Sequence, residues 1–501
     1  MQRRTFVTSA LSIAGLSLIA RGLRAQQQFW DYIIVGAGTA GLPAAIFASR
    51  RGARVLLIDP ADDVGGTLHL ANGQVSAAGT RLQDDQGIVD SPDAHFEDIM
   101  RITYGGADPD IVRTTVDHAP RTINWLLDNG LNPLPGHPVT GDRPGRPAYS
   151  VRRYLWAREE GRAILAVVRR ELAPELASGR VVTQLNTRVT GLLTDDKGAV
   201  EGVRARCGDE RLTFRGRHVL ITSGGYAMNP EMFEMLVGSP AYAAGSYPHS
   251  QGDGLRLATS VGGWLRGQDQ HRSGTGNILT GNRFPAKVYA RFTTAPQDRL
   301  PWEIWVNRAG RRFIREDEPL VYPRSRALLE QPELRYAIVF DEMIFRRSPV
   351  GIEGWSRDAM LEHFAHHPMF ARADSLGQLA AQADLDPAGL AASVAEYNGA
   401  VASGRDAFGR EHLPLPIKEP PFYAVTHLGS SATSSAGVVV DKELRVLHGN
   451  GEPIPNLYAA GEVLGSGATL GATFAPGMML TPALVLGRLL GERLPLRYGR
   501  G

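Results

Sequence analysis

The sequence predicts an α/β fold built on a Rossmann-like dinucleotide-binding domain, and three observations near the start of the chain predict it. Tyr32-Ile33-Ile34-Val35 is a short apolar, largely β-branched run that stops at a glycine, as a buried parallel strand does. Gly36, Gly38 and Gly41 follow with Gly-x-Gly-x-x-Gly spacing, which permits a tight turn, close approach of a pyrophosphate to the backbone, and close packing of the next helix on the strand. A second strand, Val55 to Ile58, then delivers Asp59, whose carboxylate can accept ribose hydroxyls. Between the strands an alanine-rich helix from Leu42 to Arg51 turns its N-terminal amides toward the pyrophosphate. The glycine pattern is weak alone. Strand, helix, second strand and acid in register make it a dinucleotide site.

A chain of 501 residues has room for two or three domains, and 57 glycines with 43% hydrophobic residues suit a cofactor-rich α/β enzyme. The net charge of +2 argues against a dedicated nucleic-acid surface. Cys207 is the single cysteine, which excludes an intrachain disulfide framework, a Cys-x-x-Cys redox pair and a Cys-x-x-Cys-His haem attachment, so haem or iron is expected on a partner. Residues 1–25 read as a removable signal: Arg3-Arg4-Thr5-Phe6-Val7 precedes an apolar run from Leu11 to Ala20, with a cleavage site after Ala25. That run is well short of the roughly 20 residues that span a bilayer, so no stable membrane span is expected. A twin-arginine signal implies a periplasmic or otherwise exported protein that leaves the cell folded. The alternative is a basic cytoplasmic terminus.

Beyond Asp59, the small-residue run from Gly65 to Gly79 lets backbone approach a flat ligand directly behind the ribose acid. Residues 93–130 read as helices, 133–147 as a proline and glycine loop, and 154–176 as a further helix. Val181 to Val189 and Val200 to Phe214 read as strands of a small meander, and His218 to Tyr226 as a strand returning to the glycine pair Gly224-Gly225. The segment 377–404 is alanine-rich and helical. There are no repeats and no second Gly-x-Gly-x-x-Gly after a later strand, so no nicotinamide domain is expected.

In chain order, Gly65-Gly66-Thr67, Ser223-Gly224-Gly225-Tyr226, Gly252-Asp253-Gly254, Val306 to Phe313 and Leu457-Tyr458-Ala459-Ala460-Gly461-Glu462-Val463 follow one another. Together they resemble the flavoprotein family of soluble fumarate reductases, succinate dehydrogenase flavoprotein subunits and 3-ketosteroid 1-dehydrogenases. The resemblance covers nearly all of the chain after residue 25. It implies FAD, and a glutathione-reductase-type FAD-binding domain, here at 29–269 and 437–501, with an inserted α+β capping domain at 270–436. It also implies the cofactor residues. Gly36, Gly38, Thr39 and Ala40 would meet the pyrophosphate and Asp59 the ribose. Gly65, Gly66, Thr67 and the run through Gln74 and Ser76 would lie along the ribityl chain and ring. Ser223 and Gly224 return under the cofactor, and Gly461 and Glu462 match the family's Gly-Glu. After Gly477, a helix beginning near Met478, with Met479 and Leu480, would aim amides at the flavin carbonyl. Thr67 stands where covalently flavinylated relatives have histidine, so the FAD is expected to be non-covalent, with His69 a remote attachment candidate.

The substrate side departs from fumarate reductases. The arginine four residues past the glutamate of Arg-Phe-x-x-Glu falls on Leu320, a clamping histidine falls near Ala432, and the late arginine is missing from Gly465 to Thr473. Thr473-Phe474-Ala475-Pro476-Gly477 resembles instead the ketosteroid dehydrogenases' Thr-Tyr-Ala-Gly-Pro-Gly, one residue shorter. There the tyrosine and last glycine polarise a ketone; here Phe474 lacks the hydroxyl, and the Gly477 amide remains. The expected substrate is a neutral or apolar carbonyl compound, with a cytochrome, a quinone or oxygen as electron partner. Tyr322 and Arg324 are the candidate proton-moving pair, an arginine being able to lower a neighbouring tyrosine's pKa. Packing in the cap is the other reading of Tyr322. His271 and Tyr289 are further candidates. His363, His366 and His367 share a helical face, a spacing that arises readily without a metal, and no metal is expected. The expected activity is FAD-dependent oxidoreduction of a CH–CH bond beside a carbonyl. The alternative is a non-catalytic FAD-binding electron carrier or interaction protein, since one nucleotide fold hosts both roles.

Overall fold

The computed structural model describes residues 28–142, 148–431 and 433–496, so the expected signal at 1–25 and Ala432 lie outside the described residues. The chain enters through β1 (Phe29–Val35), turns at Gly36 into α1 (Gly41–Arg50) and returns as β2 (Val55–Ile58). β1 and β2 pair in parallel, Tyr32 beside Val55 through Val35 beside Ile58. Covered on both faces, Ile33, Ile34, Leu56 and Leu57 are buried alike, which is why these strands read as continuous apolar runs rather than alternating ones.

A two-residue strand β3 (Val75–Ser76) precedes α2 (Pro92–Ile102) and α3 (Pro109–Asp128), each with proline in its first turn and capped by a side chain, Ser91 and Asp108. The helix read over 154–176 starts later. Tyr154–Leu155 forms β4, drawn into an antiparallel ladder with β3, and Glu160 takes a φ of 56° that no helix continues through. α4 (Gly161–Ala177) begins at Gly161, which packs on the Gly66–His69 turn; an added Cβ would stand 2.5 Å from the Leu68 carbonyl oxygen.

The meander is also different from its reading. β5 (Val181–Gln184) leaves it to become the outer strand beside β2, in parallel. The antiparallel meander is β6 (Arg188–Thr194), β7 (Val200–Cys207) and β8 (Glu210–Ile221). The first half of β8 pairs with β7 and its second half runs parallel to β1, Val219 to Ile221 lying beside Ile33 to Val35.

At Leu265–Arg266 the chain crosses antiparallel to Gly437–Val438, and inside that crossing Ser430–Ser431 pairs in parallel with Ala243–Ala244, so the intervening segment is tied to the rest at both places. That segment holds the hairpin β9 (Asn277–Leu279) and β10 (Val288–Arg291), then β11 (Ile304–Asn307), α5 (Val321–Leu329), β12 (Tyr336–Asp341), α6 (Arg357–His366), β13 (Phe370–Ala373), α7 (Leu376–Ala383), α8 (Pro387–Ser403) and β14 (Phe422–His427). Its antiparallel sheet runs in the order β11, β12, β14, β13. It encloses an apolar cluster of its own around Trp305, Ile338, Tyr397 and Val425, and we propose 270–436 as the extent of this cap.

After the crossing, β15 (Arg445–Leu447) and β16 (Pro453–Ala459) complete the large sheet, β16 running parallel to β8. The last helix, α9 (Leu480–Arg493), packs on α1. Gly487 and Gly491 allow the approach, since a Cβ on either would stand 2.1 and 2.5 Å from the carbonyl oxygens of Ala40 and Ala44. Among the described residues no helix is long and apolar enough to cross a membrane.

Candidate active site

A cleft opens along the carboxyl ends of β1, β2 and β8, where parallel sheets hold their ligands. Gly36, Gly38, Thr39, Ala40, Asp59, Gly66, Thr67, Ser223, Gly224, Gly461, Glu462, Met479 and Leu480 all line it. Gly36 adopts a φ of 112°, and a Cβ on Gly41 would lie 1.9 Å from the Gly36 carbonyl oxygen, so this turn closes only with glycine at both places.

Asp59 is buried, and its oxygens accept from the Ala37 N–H at 2.6 Å and the Ala61 N–H at 2.9 Å. Burial pushes its carboxyl above the usual range while those two amides pull it down. Each oxygen keeps a second lone pair, so the acid that shapes the loop can still accept from a ribose. Glu462 is held in the same manner; burial raises its carboxyl, and the Ser434 N–H at 3.0 Å opposes the rise.

The groups lining this cleft fit an FAD. Ser223 Oγ is buried and has no hydrogen-bond partner, a cost that a polar ligand removes. Among the described residues the N–H groups of Gly477, Met479 and Leu480 donate to no protein acceptor, as expected ahead of a helix, and Met479 and Leu480 line the cleft. Gly66, at a φ of 52°, leaves a slot in front of Gly38 that a Cβ would narrow to 3.1 Å.

Other sequence-derived candidates lie beside the cleft rather than in its lining. Gly65 braces the turn, its N–H bonded to the Ala37 carbonyl at 2.8 Å. Gln74 is partly buried one residue before β3. Ser76 donates its N–H to Thr481 Oγ1 at 2.9 Å, and Gly477 packs on it so closely that a Cβ would approach the Ser76 nitrogen to 2.5 Å. Met478 is fully buried in an apolar cluster with Ile99, Ile102 and Ala475, and α9 begins two residues after it. His69 turns its Nε2 to the Val64 carbonyl at 3.1 Å, away from the cleft.

A second, narrow pocket lies where the cap meets the Thr473–Gly477 run. Ile102, Tyr104, Leu320, Val321, Tyr322, Ala472 and Phe474 give it an apolar wall, with Ser325, Thr473 and Arg272 as its further lining; the Arg272 guanidinium sits over the Phe474 ring at 5.3 Å. Tyr322 stacks on Tyr104 with ring centroids 4.8 Å apart. Two residues apart on α5, Tyr322 and Arg324 point in opposite directions, and the buried Arg324 guanidinium donates to the Thr294 carbonyl.

His271 is nearly fully buried against the edge of Phe233, 4.9 Å between ring centroids, with Nε2 unpartnered; it lines neither pocket. Burial, with help from the Arg272 charge, lowers its pKa to about 3, so it is a neutral ring. Tyr289 is half exposed on the cap surface, where its hydroxyl meets His363 Nε2 at 2.9 Å and its ring stacks on His367 at 5.1 Å. Among the described residues no group of three or more metal-ligating side chains forms.

The sequence reading missed Thr187, Arg188, Val189, Tyr247, His249 and Asp253, all of which line the cleft near Asp59. A usable signal was Asn186, a residue type that tolerates positive φ: at 53° it sits in the turn between the end of β5 at Gln184 and the start of β6 at Arg188.

Comparison with known proteins points to the same cofactor and fold. The family model described as "FAD binding domain" matches residues 31–472. The chain is 29% identical over 476 residues to fumarate reductase (cytochrome) from Shewanella frigidimarina, covering 92% of this chain and 76% of that protein. The open conformation of a flavocytochrome c3 fumarate reductase superposes with a TM-score of 0.64 at 27% identity, covering 95% of this chain and 80% of the other. A 3-ketosteroid delta1-dehydrogenase from Sterolibacterium denitrificans, in complex with 1,4-androstadiene-3,17-dione, gives a TM-score of 0.68 at 22% identity over 92% of this chain and 98% of that one, a likeness of fold.

Proposed function

Because this chain belongs to the FAD-binding-domain family, which the match over residues 31–472 establishes, we propose that it is an FAD-dependent oxidoreductase of a CH–CH bond beside a carbonyl. The substrate on this reading is a ketone or acid other than fumarate. The observation that carries the proposal is that one short segment serves both pockets: Phe474 lines the apolar pocket under the cap, and Met479 and Leu480, five and six residues on, line the cofactor cleft.

Bound along the cleft, FAD supplies a two-electron acceptor or donor of hydride. The chain's own part is to hold the substrate and manage its charge and proton. The Gly477 N–H, unpaired among the described residues, polarises the substrate carbonyl and stabilises enolate-like charge beside the reacting carbon. Phe474 and Leu320 exclude water, and neither can donate a proton. Tyr322 Oη, at the wall of the apolar pocket, moves the proton at the neighbouring carbon. Leu320 occupies the position at which fumarate reductases carry their proton-donating arginine, which supports a substrate that is not a dicarboxylate. Arg272 over Phe474 admits a substrate with a carbonyl or carboxylate at that end.

The FAD is non-covalent on this reading, because Thr67 faces the cleft and His69 faces Val64. Electrons pass to or from a cytochrome, a quinone or oxygen, and export by a twin-arginine signal in residues 1–25 completes the proposal. The test is an anaerobic screen of cyclic ketones, enones and acids against the purified yellow protein, following flavin absorbance. Bleaching or reoxidation by a member of the panel supports the enzyme reading. Flavin that cycles with a protein electron partner and with no member of the panel favours a carrier.

A further inference from the structure

Behind the Pro476–Gly477 turn lies a buried phenol that the proposed chemistry has not used. Tyr149 is 3% exposed; its hydroxyl donates to the Pro476 carbonyl at 2.5 Å and lies 3.3 Å from Ser76 Oγ. Its ring cannot drift. The Arg153 guanidinium sits 5.1 Å from the ring centroid and the His95 ring meets it edge-on at 5.3 Å. Arg153 is in turn fixed by Asp90 and Asp98, both at 2.7 Å, and all three side chains are buried. Ser76 is pinned from the other side, its N–H donating to Thr481 Oγ1 at 2.9 Å and its carbonyl accepting from that hydroxyl at 3.2 Å.

The consequence follows from peptide geometry. The Pro476–Gly477 bond is trans, and in a trans peptide the C=O and N–H lie in one plane and point in opposite directions. A hydroxyl that clamps the Pro476 oxygen therefore aims the Gly477 N–H away from Tyr149. The same bond draws electron density toward the carbonyl and makes the amide hydrogen a stronger donor. Gly477, at a φ of 80°, has the backbone freedom to leave this orientation if nothing held it. Burial, the dominant influence on the phenol, pushes its pKa far above the usual tyrosine value, so it remains a donor throughout the working pH range.

We propose that Tyr149 is a positioning residue that sets the direction and strength of the Gly477 N–H, acting through the Pro476 carbonyl without touching substrate. This inference rests on the reading of Gly477 as the donor to a developing oxyanion. It makes the donor in this chain a coupled unit, in which a side chain far off in sequence supplies what the missing hydroxyl at Phe474 cannot.

The test uses the FAD-loaded protein and 4-nitrophenol, titrated as a function of pH so that affinities for the phenolate and the neutral phenol are obtained separately from the ligand's absorbance. 4-Nitroanisole, which cannot ionise, serves as the control for simple packing. Wild type is expected to favour the phenolate. Tyr149→Phe keeps the ring and is expected to lose about tenfold or more of that preference, with FAD content and 4-nitroanisole affinity unchanged. Should Tyr149→Phe fold poorly, 3,5-difluorotyrosine incorporated at position 149 keeps the shape and strengthens the donor, and it is expected to raise the phenolate preference. If wild type favours the phenolate and both variants match it, Tyr149 only packs and the inference is overturned while the Gly477 reading stands. If wild type shows no phenolate preference, or does not bind the probe, the Gly477 reading fails and takes this inference with it.

Discussion

Substituting Gly487 by alanine tests whether the seam between α9 and α1 controls the cofactor cleft. Gly487 is interior to a helix, where alanine is ordinarily better than glycine by about 1 kcal/mol. Here the new Cβ would stand 2.1 Å from the Ala40 carbonyl oxygen and 2.8 Å from its Cα. A relaxed C···O contact needs roughly 3.3 Å, so the helices must part by roughly 1 Å, and no rotamer change can absorb the clash because both partners are backbone. Such overpacking costs about 1–3 kcal/mol, which cancels the propensity gain and leaves a net loss of up to about 2 kcal/mol. Ala40 itself lines the cleft, and Leu480 and Ala483 line it from the displaced helix. The strain therefore falls on cofactor binding, weakening FAD affinity by about tenfold. Urea denaturation and fluorescence titration of apoprotein with FAD measure both effects. Gly399→Ala in α8 is the control: that glycine is exposed with nothing near its Cβ, and the substitution should be neutral or stabilising by up to about 1 kcal/mol. If Gly487→Ala is as stable as wild type and binds FAD equally well, the seam does not govern the cleft.

Further outcomes are expected. Tyr322→Phe should lower turnover about a hundredfold or more at unchanged FAD content, whereas near-normal turnover would leave Tyr322 as a partner of Tyr104 only. Neither NADH nor NADPH should reduce the flavin at a useful rate, and rapid anaerobic bleaching by either would contradict the absence of a second dinucleotide motif. Stability should fall with acid. His271 and His427 are buried neutral, their pKa values lowered by desolvation to about 3 and about 4, while the unfolded chain takes up protons near its ordinary histidine value of about 6.5. The unfolded state thus binds more protons between those limits, so stability rises with pH and is lost from about pH 6.5 downward, by up to about 1.4 kcal/mol per pH unit for each ring. Denaturation midpoints at pH 7 and pH 5 measure this, and His271→Gln should flatten the slope. An unchanged slope would mean that His271 is already solvated.

How much was legible in the sequence depended on how local the signal was. β1, its glycine turn, α1, β2 and Asp59 are consecutive, and each constrains the next, so that part of the cleft lining could be read directly. Gly461 and Glu462 were legible because a strand ending in a glycine carries them. Thr187 to Val189 were not, because Val181 to Val189 alternates acceptably as one strand, and only the parallel seat beside β2 separates β5 from β6. The start of α4 was obscured by good helix formers around Glu159 and Glu160, which the β3–β4 ladder overrides. The link from Tyr149 to Pro476 spans 327 positions and leaves no local pattern. Tyr322 and Arg324 looked like a pair because they are close in sequence, yet a helix sends such neighbours to opposite sides.

The short ladder between Leu265–Arg266 and Gly437–Val438 makes the cap resemble a tool head on a fixed handle. Because the outgoing and returning strands are already neighbours, the rest of the chain needs this closed neck and the returning stretch from Ser430 to Ser434, which pairs with Ala243–Ala244 and holds Glu462, and little else of what the neck carries. Loop-closure entropy grows only with the logarithm of length, so enlarging, trimming or replacing the intervening segment is a small perturbation at the neck. Changes of substrate range can therefore accumulate in the cap while the half that grips the nucleotide keeps one geometry. A chimera carrying another protein's cap on this neck should still bind FAD, even where its choice of substrate is entirely new.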